Sequence, residues 1–425
     1  MNSPTCFRRA AGLAGLLALT LVAGAADWAQ WRGPQRDGVA PGGQKFPEKL
    51  AEEPVNVWRV PAGPGLSSPV VAGGRVLAFD AQAGQETLRL LDATDGRELW
   101  RAAVDVPFSD SQGPTGPRGT PLIDGDRVYA VSCQGELQCR QLADGKLMWR
   151  TRYTTDFGAS FVGEKGNTPG AARHGNNAPP VIHGDLLIAC AGGTNGASVV
   201  AFDKRTGAVR WKSQNDMAGY AAPDVATLAG SPQVIAFTVD GGLGLDVRDG
   251  RFLWRFPIKT AFARHAATPV VLGDLVVLGS HQAGLFGLKI TPDGDRQEAR
   301  PAWQSKEAAV NFASPVRVGG QLYGLGPAKD LFCLELADGS LRWQQAGLVT
   351  TSADKAWVSL LVVGDRILAL TDTGTLVLFA ANAEGYQEFG RQQVCGLNWC
   401  HPAYADGRLY LRDAKQWLCV ELVQP

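Results

Sequence analysis

Leu90-x-Asp92-x-x-Asp95-Gly96-x-x-x-Trp100 is a phrase that this chain of 425 residues keeps repeating. It returns as Cys139-x-Gln141-x-x-Asp144-Gly145-x-x-x-Trp149 and Ala201-x-Asp203-x-x-Thr206-Gly207-x-x-x-Trp211. Two more copies are Gly244-x-Asp246-x-x-Asp249-Gly250-x-x-x-Trp254 and Cys333-x-Glu335-x-x-Asp338-Gly339-x-x-x-Trp343. A second phrase precedes each copy: an apolar run, Gly-Asp or Gly-Gly, and another apolar run. Its anchors are Pro69, Pro121, Pro180, Pro223, Pro269, Pro315, Leu360 and Pro402, spaced 42 to 59 residues apart. Short β runs returning with such a period belong to a propeller or a solenoid. Eight anchors mean eight units.

In Pro269-Val-Val-Leu-Gly273-Asp274-Leu-Val-Val-Leu, two apolar runs flank a two-residue hairpin signal. A second hairpin and the Asp-x-x-Asx-Gly turn follow, so each unit is a four-stranded antiparallel sheet. Such sheets repeated around an axis are propeller blades. The last unit, Pro402 to Leu422, holds only three strands, whereas Val57-Trp58-Arg59 near the other end is an orphan with the same Trp-Arg signature as Trp100-Arg101. The expected fold is therefore an all-β, eight-bladed propeller of four-stranded blades. An N-terminal strand completes the C-terminal blade and closes the ring, which removes exposed sheet edges.

The expected organisation is a signal peptide at 1–26, an arm at 27–56 and the propeller at 57–425. Arg8-Arg9, the apolar stretch Ala10 to Val22 and the small residues Ala23-Gly24-Ala25 have the order of a cleaved export signal. This predicts a periplasmic or extracellular product with no membrane-spanning segment after cleavage. Lys plus Arg total 41 against 41 Asp plus Glu, which argues against nucleic acid as a partner. An oxidising compartment permits disulfides, and Cys395 with Cys400 is the one pair whose spacing leaves the question open. Cys139, Cys333 and Cys419 fall at a position wanting a small apolar residue and read as buried free thiols.

The Ala-x-Asp-x-x-Thr-Gly-x-x-x-Trp phrase resembles the tryptophan-docking repeat of the pyrroloquinoline-quinone-like propellers. That group includes quinoprotein alcohol dehydrogenases and the propeller subunit of the outer-membrane β-barrel assembly machinery. The resemblance covers residues 57–425, with departures at an insertion between Lys289 and Trp303 and at Phe389, which stands where Trp is expected. It implies that Trp58, Trp100, Trp149, Trp211, Trp254, Trp303 and Trp343 pack between neighbouring blades. In the resembling enzymes the quinone lies on the axis between a Trp and a disulfide of adjacent Cys, is chelated with calcium, and is served by an Asp base. This chain has no adjacent Cys pair, and no Glu, Asn and Asp calcium set aligns. No cofactor is therefore expected.

The opening Asp27-Trp28-Ala-Gln-Trp31-Arg32-Gly33-Pro34-x-Arg36-Asp37-Gly38 resembles the leader of secreted bacterial members. Trp28 and Trp31 are expected to pack this arm onto the propeller, with Arg36 and Asp37 in solvent. Trp28→Ala is expected to cost less stability than Trp58→Ala. Positions just before the inner strands place Asn176, His265, Asn311 and Asn398 at one level of the axial face, and Phe312, Trp357 and Trp399 at the next. Polar side chains beneath an aromatic arc suit a planar or sugar-like ligand, although the same residues could seal the channel and cap loops. His281 is expected beside His265, too few ligands for a metal. The leading expectation is a monomeric, non-catalytic binding or scaffolding module with a protein or envelope-component partner. The rivals are a quinone-dependent dehydrogenase with atypical ligands and a carbohydrate- or peptide-binding propeller.

Overall fold

The computed structural model describes Met1 and residues 27–111, 113–349 and 356–422; the expected export signal lies outside them. Eight four-stranded antiparallel sheets follow one another along the chain. Blades 1 to 7 span 70–105, 122–152, 181–213, 224–257, 270–305, 316–345 and 358–393, and blade 8 spans 403–421. The strand Val55–Pro61 pairs antiparallel with Gln416–Glu421, Val55 opposite Glu421 and Pro61 opposite Gln416. The N-terminal strand is thus the outer strand of blade 8, and the ring closes as expected.

The repeated phrase has a physical reason at each position. Across the turn the Asp92 N–H donates to the Arg97 carbonyl and the Gly96 N–H to the Asp92 carbonyl, the Asp95 carboxylate accepts the Arg97 N–H, and Gly96 adopts a left-handed φ of +74°. Only glycine fits there for a second reason: a Cβ on Gly96 would lie 2.8 Å from the Trp58 ring of the preceding blade. The same seat recurs with Trp100 on Gly145, Trp149 on Gly207, Trp211 on Gly250 and Trp303 on Gly339. Each indole N–H reaches a carbonyl of the next blade: Trp58 to Ala93, Trp100 to Leu142, Trp149 to Lys204, Trp211 to Val247, Trp303 to Leu336 and Trp343 to Asn382. The small residue of the phrase is paired opposite Trp across the sheet, as Ala201 is to Trp211 and Cys333 to Trp343.

Trp254 departs from this pattern. Blade 5 replaces the Asx-Gly turn with a long hairpin, Gly284–Asp293 and Arg296–Ser305, so no carbonyl is offered in the usual place. The Trp254 N–H turns instead to Gln233 of its own blade, and Gln233 in turn donates to Gln297 of blade 5. Phe389 of blade 7 is covered by the Arg366 guanidinium, 4.0 Å above its ring.

The core is a series of apolar layers between facing sheets, such as Leu122, Leu137, Leu187 and Val200 between blades 2 and 3. The seven described cysteines are all buried and unpaired, Cys395 and Cys400 included.

Candidate functional site

The arm is not a surface strap. Residues Trp28 to Ala40 fold into a hook inside the axial channel and touch the inner-strand end of every blade. Trp28 exchanges two backbone bonds with Val71 of blade 1, and the Ala29 carbonyl accepts from Ile123 of blade 2. Arg36 donates to the Pro180 and Pro223 carbonyls, which lead into blades 3 and 4. The Trp31 indole donates to Thr268 before blade 5, and Arg32 to the Pro315 carbonyl before blade 6. Gly38 and Ala40 bond Val362 of blade 7, and Trp31 packs edge-on against His401 before blade 8, 5.5 Å between centroids.

Several expectations for the arm are corrected here. Arg36 is buried rather than solvated, its guanidinium donating to the Pro180 and Pro223 carbonyls. Burial pushes the pKa of both Arg32 and Arg36 down to about 10, with nearby Asp224 opposing the shift in each. Trp28 is 1% exposed against 8% for Trp58, so it is the more deeply buried of the two and the expected ranking of their substitutions loses its basis.

Above the hook is a cavity of about 160 Å³, with Trp31 at its base. The aromatic arc comes together on one side: Phe312 and Trp357 lie 6.0 and 6.4 Å from Trp399, centroid to centroid, and all three line the cavity. The polar set does not join it. Asn311 and Asn398 are the sequence neighbours of Phe312 and Trp399, but neither lines this cavity. Asn311 lines an adjoining depression with His281, Lys306 and Phe312, and Asn398 another with Trp399, Arg412 and Asp413. Asn176 is buried, and His265 stacks on Phe237 at 4.3 Å with Nδ1 against the Thr238 carbonyl, 2.6 Å away. Burial lowers the pKa of His265, and it drives that of His401 down to about 3, so both are neutral rings of the wall. His281 lines the depression beside Asn311, and His265 is buried against Phe237.

The polar side of the cavity comes from Arg118, His174, Tyr220 and Arg264, of which only His174 is placed near this face by the sequence. Two long interblade loops supply the first two. Asp110, buried behind the wall, holds Arg118 through two bonds of 2.8 Å and lies 2.8 Å from His174 Nδ1. The length of the loops at 101–119 and 150–178 was the only signal of this arrangement, since their contacts are made across 64 residues of sequence.

The axial quinone and calcium of the resembling enzymes do not fit these residues. No carboxylate lines the cavity, no two described cysteines form a disulfide, and no group of three or more His, Cys, Asp or Glu side chains suited to a metal exists among the described residues. The channel below is filled by the hook. Among the described residues, no helix is long and apolar enough to cross a membrane.

Comparison with known proteins agrees with this architecture. The outer membrane protein assembly factor BamB from Yersinia pestis is 25% identical over 273 residues, 62% of this chain and 60% of that protein. This chain therefore spans under two thirds of that relative's length. BamB from Moraxella catarrhalis superposes with a TM-score of 0.53 at 15% identity, over 82% of this chain and 95% of that one. A quinohemoprotein alcohol dehydrogenase from Pseudomonas putida gives 0.63 at 10% identity, over 93% and 80%. At such identities the two structures share a fold and nothing finer. The family model described as outer membrane protein assembly factor BamB matches residues 51–160 and 84–345, most of the propeller. The chain belongs to that family of pyrroloquinoline-quinone-like β-propellers.

Proposed function

We propose that this chain is an exported, non-catalytic docking propeller that serves outer-membrane protein assembly, as the relatives' names describe for them. The observation that carries this reading is the hook: the chain's own Arg32 and Arg36 fill the axis that a catalytic propeller keeps for its cofactor. A rigid ring closed at its centre is suited to presenting its loops. The loops between blades carry exposed apolar side chains on the cavity face: Val106, Val162, Met217 and Leu397, the last 72% exposed. Apolar side chains left exposed on these loops offer contacts to a protein partner.

Co-purification from the native envelope tests the reading. The wild-type chain should retain a defined protein partner, and Leu397→Glu with Val106→Glu should release it. Leu147→Glu, at an exposed position of an outer strand, should not. Equal retention by all three forms would remove the docking face. Dye-linked alcohol oxidation after adding pyrroloquinoline quinone and calcium would overturn the non-catalytic reading itself.

A further inference from the structure

The cavity above the hook has dimensions and chemistry that suit one class of small molecule. Its volume of about 160 Å³ is close to the ~150 Å³ of an engineered protein cavity that takes a benzene ring. One six-membered ring with a small substituent would fill it. On one side stand Phe312, Trp357 and Trp399, with Trp31 below, all flat apolar surfaces.

The opposite side has donors and no acceptor carboxylate. Asp110 sits behind the wall and is engaged by Arg118 and His174. Arg264 also lines the cavity, and its guanidinium makes no hydrogen bond or ion pair with any described residue. Tyr220 is only 9% exposed, and its hydroxyl has no hydrogen-bond partner among the described residues. A buried donor without a partner is unfavourable, and an unpaired cation beside it favours an anion. We propose that the cavity binds a single-ring aromatic carboxylate, its ring against Trp31, Trp357 and Trp399 and its carboxylate on Arg264 and Tyr220. Binding here is separate from partner docking, which uses the exposed rim.

The probes are benzoate, its neutral isostere benzamide, and glucose, titrated into the purified full chain by calorimetry and tryptophan fluorescence. Benzoate should saturate, with benzamide at least tenfold weaker. Arg264→Gln should weaken benzoate about tenfold or more and leave benzamide unchanged. Tyr220→Phe should weaken benzoate less, and Trp399→Ala should weaken both ring compounds. Because Arg264 makes no side-chain contact that holds the fold, an unchanged melting temperature for Arg264→Gln keeps the comparison valid. Three results would each overturn the assignment: equal binding of benzamide and benzoate, no effect of Arg264→Gln, or saturation by glucose alone. So would the absence of benzoate binding up to about 10 mM, since one ring and one ion pair support millimolar affinity.

Discussion

Truncating Trp58 tests the closure of the ring. Its indole is 8% exposed, donates to the Ala93 carbonyl at 2.9 Å, rests on Gly96 and lies 6.1 Å from the Tyr410 ring. It therefore joins blade 8, the sheet in which the two ends of the chain pair, to blade 1. Trp58→Ala loses a large buried aromatic, a cost of about 3–5 kcal/mol, of which roughly 1 kcal/mol is the hydrogen bond. With about 2.1 cal/mol/K of unfolding entropy per residue over roughly 370 residues, ~4 kcal/mol lowers the melting temperature by about 5 °C. Trp58→Phe keeps most of the packing and should lose about 1–2 °C by the same conversion. Trp28→Ala, at 1% exposure, should match Trp58→Ala rather than fall below it. Circular dichroism melts at one fixed scan rate read all three. A Trp58→Ala protein melting within about 1 °C of wild type would refute the seam's contribution. Deleting residues 27–60 removes both hook and closing strand, exposing the edge at Gln416–Glu421. That variant should aggregate or lose its cooperative transition.

Two other substitutions probe buried charge. Arg36→Ala strands the Pro180 and Pro223 carbonyls and leaves the half-buried Asp224 carboxylate with Arg32 alone of its two nearby cations, which should cost about 3 kcal/mol in urea unfolding. Arg97→Ala, with 65% of its side chain exposed, should stay within about 0.5 kcal/mol. Glu86 is buried, which raises its pKa from the ordinary 4.5 to about 8. The folded protein then holds a proton that the unfolded chain has released, so stability falls as pH rises from about 4.5 to about 8 and levels off above. Glu86→Gln should flatten that decline, and an unaltered pH profile of the melting temperature would show that Glu86 ionises normally.

How far the molecule could be read in advance depended on how local the governing contacts are. The turn at Asp92–Arg97 is closed by residues within five positions of one another, and its glycine, its aspartate and the following Trp are all dictated there. Repetition multiplied that signal, so blade count, strand number and the role of Val57-Trp58-Arg59 were legible. Phe312, Trp357 and Trp399 were legible as an arc because they occupy equivalent places in the repeat. The polar partners assigned to them were not, because Asn311 and Asn398 sit in irregular segments before the inner strands, where no strand register fixes which way a side chain faces.

Trp254 shows the limit of the repeat: its own blade follows the phrase, but its hydrogen bond is decided by the missing turn of the next blade. The hook goes further. Arg32-Gly33-Pro34-x-Arg36-Asp37 reads as a solvated polar stretch, since nothing within it shows that backbone carbonyls from separate blades converge on the axis. Those acceptors lie 144, 187 and 283 residues away in the chain and become neighbours only when the ring closes. The sequence by itself determined the blades, because each turn and strand is stabilised by residues close along the chain. Only the tertiary structure decided what fills the centre, because desolvated guanidinium groups need partners that the chain brings together from every side of the ring.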